Sequence, residues 1–142
     1  MEGFIKKCRE NNLKITPQRV AIYKTLEGST AHPCAEQIHR RLSGEFPSIS
    51  LDTVNRTLLT FTKIGMISVV EGHGDPRRFD PNLGDHHHFY CTECRQIFDF
   101  HCSHLDGMSH PKDLPKGFTI TEKRICLTGL CDQCKANAIE HA

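Results

Sequence analysis

No apolar run in this chain approaches the length of a bilayer span, no charged-then-apolar leader opens it, and neither sign of charge prevails, with 18 Lys and Arg against 17 Asp and Glu. The first absence speaks against a membrane span and the second against export. A chain that stays in the reducing cytoplasm keeps its thiols free, so the eight cysteines are expected to act as metal ligands and free thiols, not as disulfides. Internal repeats and low-complexity tracts are also missing. The near-zero net charge conceals an asymmetry. Residues 1–80 carry 12 basic against 9 acidic side chains and residues 81–142 carry 6 against 8, which is compatible with a nucleic-acid-binding front end.

What the chain does have is concentrated metal chemistry. Cys91-x-x-Cys94 is matched, 36 residues further on, by Cys131-x-x-Cys134. Each pair lets two thiolates close on one ion across a tight turn, and two pairs supply the four ligands of a closed, tetrahedral structural zinc site. His86, His87 and His88 run directly into the first pair, and Asp99 follows it. Imidazole and carboxylate donors are harder ligands that suit Fe, Mn, Co, Ni or Zn, so the chain offers a second, adjustable site. Strand alternation places His86 and His88 on one face and His87 on the other. His101, Cys102 and His104 form a further possible cluster.

Four helices are expected first: residues 2–12; a second opened by Thr16-Pro17 with Val20, Tyr23 and Leu26 as its stripe; a third from about Pro33; and a fourth capped by Ser48 or Ser50. The fourth carries Leu51, Val54, Leu58 and Phe61 inward and shows Asp52, Thr53, Asn55, Arg56 and Thr60 outward. Strands at Met66–Val70 and Arg77–Phe79, joined by a Gly/Pro turn over 72–76, complete a winged helix-turn-helix. In that arrangement the fourth helix reads the major groove, while Arg77 and Arg78 on the wing, with Arg19 on the second helix, contact phosphate. The chain is therefore read as α+β, with a winged-helix DNA-binding domain over 1–80, a hinge over 81–85 and a small α/β domain over 86–142. Strands are expected there at His86–Tyr90, Gln96–Phe100 and Phe118–Leu127, a short helix before Pro111 and a last helix from Asp132. So small a sheet leaves an open edge, and pairing with a second copy would cover it, so a homodimer is expected.

Several motifs in order carry a resemblance: Leu13-Lys14-Ile15-Thr16-Pro17-Gln18-Arg19, Ala31-His32-Pro33, the segment Ser50–Leu58, Arg78-Phe79-Asp80, the histidine-rich strand entering Cys91-x-x-Cys94, and Cys131-x-x-Cys134. Over nearly its whole length the chain resembles the ferric uptake regulator family. The resemblance implies a homodimeric, metal-sensing transcriptional repressor on a palindromic double-stranded DNA operator, with structural Zn(II) at Cys91, Cys94, Cys131 and Cys134. For the sensing site it implies His32, Asp80, His86, His88 and Asp99, a set similar to the Fe(II) or Mn(II) site of the family's peroxide-responsive branch. Asn55 stands where the family usually has tyrosine, which implies a different base preference. Three other readings compete: an iron- or zinc-uptake regulator of the same family, a zinc-stabilised protein-interaction module, and a hydrolytic enzyme. The module leaves the polar face around Arg56 and the basic wing without a purpose. An enzyme is not expected, because four cysteines close the zinc shell and the remaining ligands have no separate general base.

Overall fold

Capping chemistry starts the helices of the front half where the sequence suggests. The Thr16 hydroxyl accepts from the Arg19 N–H at 3.2 Å and Pro17 takes the first helical position, opening α2 (Pro17–Leu26) after α1 (Glu2–Glu10). The third helix begins two residues later than expected, as α3 (Ala35–Leu42), with the Gln37 side chain accepting from the Cys34 N–H at 3.0 Å. Ser50, not Ser48, caps α4 (Leu51–Lys63), accepting from the Thr53 N–H at 3.0 Å. This is a computed structural model in which residues 1–70 and 76–140 are described. Of the expected wing turn over 72–76, all but Pro76 lies outside them.

The chain divides into two compact units, Met1–Gly84 and Asp85–Ala142. In the first, Phe4, Ile22, Leu26, Ile38, Val54, Leu58, Phe61 and Phe79 form the centre of the core. The rings of Phe4 and Tyr23 stack at 4.7 Å and Phe61 meets Phe4 edge-on at 5.8 Å. On burial alone, truncating Phe61 to Ala costs about 3–5 kcal/mol. Two side chains depart from the expected stripes. Ile22 is the fully buried residue of α2, alongside Leu26, whereas Val20 and Tyr23 are only half-buried. Leu51 is 40% exposed, because it sits in the first turn of α4 at an open groove that it shares with Ala35, Asn55 and Arg77. A two-stranded antiparallel ribbon, β1 (Ser68–Val69) with β2 (Phe79–Asp80), closes the unit and is shorter than the expected hairpin.

The second unit is a three-stranded sheet of order β4-β3-β5, with β3 (His87–Cys91) in the centre, antiparallel to β4 (Ile97–Phe100) and parallel to β5 (Cys126–Gly129). The helices are α5 (Ser103–Asp106) and α6 (Asp132–Glu140). The strand expected over Phe118–Leu127 is corrected to the four residues of β5. Its first ladder pair is His88 with Cys126, next to the start of β3 at His87, so residues before Cys126 run past the end of their partner strand. Phe118 and Ile120 are left exposed.

Candidate metal centres and nucleic-acid interface

The thiol quartet is assembled by the end of one strand and the start of one helix. Cys91 is the last residue of β3 and Cys94 lies in the turn that follows, tightened by the Arg95 N–H donating to the Cys91 carbonyl at 2.9 Å and by Arg95 at φ 62°. Cys131 immediately precedes α6 and Cys134 lies in its first turn. Two bonds clip the pairs together: the Thr92 N–H donates to the Gly129 carbonyl at 2.8 Å, and the Cys131 N–H donates to Cys91 Sγ at 3.4 Å. All four sulfurs lie within 4.8 Å of one another, and Cys94 Sγ is 3.9 Å from Cys131 Sγ. A disulfide would need about 2.0 Å. Ligands at about 2.3 Å from a tetrahedral zinc stand roughly 3.8 Å apart, so the quartet fits that ion.

Electrostatics already favour one thiolate. The Cys131 and Cys94 N–H groups aimed at Cys91 bring its pKa down to about 6. Partial burial, then the neighbouring sulfurs, push Cys134 up to about 12. Such a cluster holds protons that a metal must displace. Outside it, burial pushes the Cys8 and Cys126 thiols up, away from reactive thiolates.

The harder donors occur as pairs within each unit. In the second unit His88 faces Asp99 directly across the β3–β4 ladder, Nε2 to Oδ1 at 3.2 Å; His86 Nε2 is 3.8 Å from the same oxygen, with the two imidazoles 4.7 Å apart edge-on. In the first unit His32 Nε2 stands 3.6 Å from Asp80 Oδ2, both side chains about 1% exposed. Asp80 Oδ1 accepts the Asn82 N–H at 2.9 Å, which leaves Oδ2 turned to the imidazole. Nitrogen and oxygen ligands at about 2.1 Å from one ion are separated by roughly 3–4 Å, and the three imidazole-to-carboxylate distances fall in that range. A buried carboxylate beside a buried imidazole offers an oxygen and a nitrogen donor to one cation.

Two site features escape sequence reasoning. His87, on the opposite face from His86 and His88, is buried and donates from Nε2 to Asp106 Oδ1 at 2.6 Å, its Nδ1 accepting the Ile125 N–H at 3.1 Å. The Ile125 bond fixes the tautomer. Arg78, expected on phosphate, directs its guanidinium to the carbonyls of Ala31 and His32. Spacing along the chain signals neither contact. Among the described residues His101, Cys102 and His104 do not join into a ligand group.

Of the expected DNA-reading residues, Asp52 and Arg56 are 72% exposed and paired at 2.9 Å on the outer face of α4. Arg77 is exposed at the wing base, and Asn55 is half-buried in the adjoining groove. The Thr53 hydroxyl accepts from Ser50 at 2.8 Å as part of the cap, and Arg19 is drawn to the Lys14 carbonyl at 2.7 Å. No helix among the described residues is long and apolar enough to cross a membrane.

A helical unit closed by a short ribbon, followed by a sheet unit with a thiolate quartet and imidazole–carboxylate pairs, defines a metal-binding protein of winged-helix type. The model of the ferric uptake regulator family matches residues 10–128, and the chain belongs to that family. It is 36% identical over 135 residues to the peroxide-responsive repressor PerR of Staphylococcus saprophyticus, covering 95% of this chain and 91% of that one. Over 134 residues it is 35% identical to the peroxide operon regulator of Bacillus subtilis, covering 94% and 92%. Among solved structures, the Helicobacter pylori ferric uptake regulator superposes with a TM-score of 0.77 at 21% identity, covering 94% of this chain and 90% of that one, a likeness of fold. PerR from Streptococcus pyogenes gives 0.53 at 27% identity, covering 94% and 91%.

Proposed function

We propose that this protein is a metal-dependent, peroxide-responsive transcriptional repressor. As a homodimer it binds a palindromic DNA operator when a regulatory Fe(II) or Mn(II) ion is held by His32, Asp80, His86, His88 and Asp99. Zinc at Cys91, Cys94, Cys131 and Cys134 is structural. The carrying observation is the spacing of His86 and His88 about Asp99, with His88 on the strand that ends at Cys91 and His86 just before it. The relatives' peroxide response, at 35–36% identity over nearly the whole chain, is carried over on that basis.

Asp52, Thr53, Asn55 and Arg56 on α4 face the major groove and Arg19 and Arg77 lie towards phosphate, whereas the Arg78 guanidinium is taken up by the Ala31 and His32 carbonyls. When bound, Fe(II) supplies the one-electron chemistry that turns peroxide into an oxidant of an adjacent imidazole, and Mn(II) largely does not. The chain's own part is to hold the imidazoles of His32 and His86 where that oxidation removes a ligand.

The test is one low-peroxide treatment of iron- and manganese-loaded protein, followed by gel shift and peptide mass spectrometry. The iron form should release DNA and gain one oxygen atom on the peptide carrying His32 or His86, while the manganese form stays bound. DNA binding that persists in both forms would reject peroxide sensing.

A further inference from the structure

We infer that Arg78 is a positioning residue for the regulatory metal, its guanidinium holding the His32 turn against the strand that supplies Asp80. The inference rests on the regulatory-metal reading and adds to it a residue that touches no ion.

Three successive carbonyls are received by two successive residues, Arg78 just before β2 and Phe79 at its start. Arg78 donates from Nη2 to the Ala31 carbonyl at 3.1 Å and from Nε to the His32 carbonyl, and the Phe79 N–H donates to the Pro33 carbonyl at 3.0 Å. The turn needs such support. His32 lies at φ 49°, the left-handed region that a residue with a Cβ adopts only when its surroundings hold it there. Its imidazole is about 1% exposed and directed at Asp80 on β2, two residues beyond Arg78. One side chain therefore fixes the backbone of the first ligand to the strand of the second. A planar fork with fixed, near-parallel N–H bonds suits two adjacent carbonyls, whereas a lysine offers a compact charge on a flexible stem. Asp80 is set independently, through the Asn82 N–H on Oδ1, so the geometry of the pair depends on where the His32 turn sits.

A wing arginine has another role to be separated from this one, phosphate contact, and that role predicts no effect without DNA. Zinc-loaded, full-length protein is titrated with Mn(II), following the free-ion electron paramagnetic resonance signal, as wild type, Arg78→Ala and Arg78→Lys. Labelling of His32 by diethyl pyrocarbonate in the manganese-free protein is mapped in parallel by mass spectrometry. Positioning predicts at least a tenfold loss of Mn(II) affinity in Arg78→Ala, a smaller loss in Arg78→Lys and several-fold faster His32 labelling in both, with zinc content unchanged. Should Arg78→Ala lose its zinc and fold, the same comparison in Arg78→Lys, which keeps the charge, decides. Wild-type Mn(II) affinity and labelling in the variants would overturn the inference and leave the regulatory site standing. Failure of the wild type itself to take up Mn(II) beyond its zinc would overturn the regulatory-metal reading and this inference with it.

Discussion

His88 and Asp99 stand directly opposite each other across β3 and β4, Nε2 to Oδ1 at 3.2 Å, so one antiparallel register sets a nitrogen and an oxygen donor side by side. Asp99→Ala should then lower Mn(II) affinity by at least roughly tenfold, since even outer-shell changes reach that size. Zinc content should not change. Isothermal titration of zinc-loaded protein measures the first and elemental analysis the second; undiminished Mn(II) binding would remove Asp99 from the site.

The quartet makes a different prediction. Structural zinc in small domains contributes on the order of 10 kcal/mol of apparent binding free energy, which is also folding free energy. Cys131→Ser should therefore lose zinc, dimer and thermal stability together, as read by elemental analysis, sedimentation and thermal melting. A zinc-loaded, dimeric Cys131→Ser protein would contradict it.

Zinc affinity should depend on pH with a definite sign. Without metal, Cys91 is a thiolate above about pH 6, and Cys134 stays a thiol up to about pH 12. Cys94 is also held above the ordinary thiol value, so from pH 6 to 8 zinc uptake must expel both the Cys94 and the Cys134 protons, and affinity rises with pH. Below pH 6 the Cys91 proton must leave as well, and the dependence steepens. Competition against a chelator from pH 5 to 8 should show that break, and a flat profile would rule out the quartet as the zinc site.

On α4, the Arg56–Asp52 pair is highly exposed, so separating it costs less than about 1 kcal/mol. Arg56 can thus leave its partner for a base edge. Arg56→Ala should weaken operator binding and relax base discrimination, whereas Arg77→Ala should weaken specific and random duplex alike and reduce the salt slope by about one. Gel shifts across a salt series distinguish them, and unchanged specificity in Arg56→Ala would show that α4 is not the reader.

Features set by local spacing were legible in the sequence. Thr16-Pro17 and Ser50 announce helix starts, Cys-x-x-Cys announces a turn with two thiolates, and alternation through 86–88 separates His87 from His86 and His88. What stayed hidden depends on backbone acceptors and on partners distant in the chain. Arg78 reaches carbonyls 46 and 47 residues away, and His87 finds Asp106 19 residues on, with no pattern in the intervening residues to mark either contact. Phe118–Leu127 has strand-like composition, yet a ladder also needs a partner of matching length, and β3 starts too late to provide one.

That short central strand has an electrostatic consequence. His88 and Cys91 are three residues apart on β3, roughly 10 Å of extended chain. This is about one screening length at physiological salt. A zinc ion wrapped in four thiolates keeps a net charge of about minus two. The His88–Asp99 donors therefore lie about one screening length from a dianion with which they share no atom, so filling the sulfur site should draw divalent cations towards them. On charge alone, zinc in the sulfur site should raise divalent-cation affinity at His88 and Asp99, an advantage that should fade as ionic strength rises.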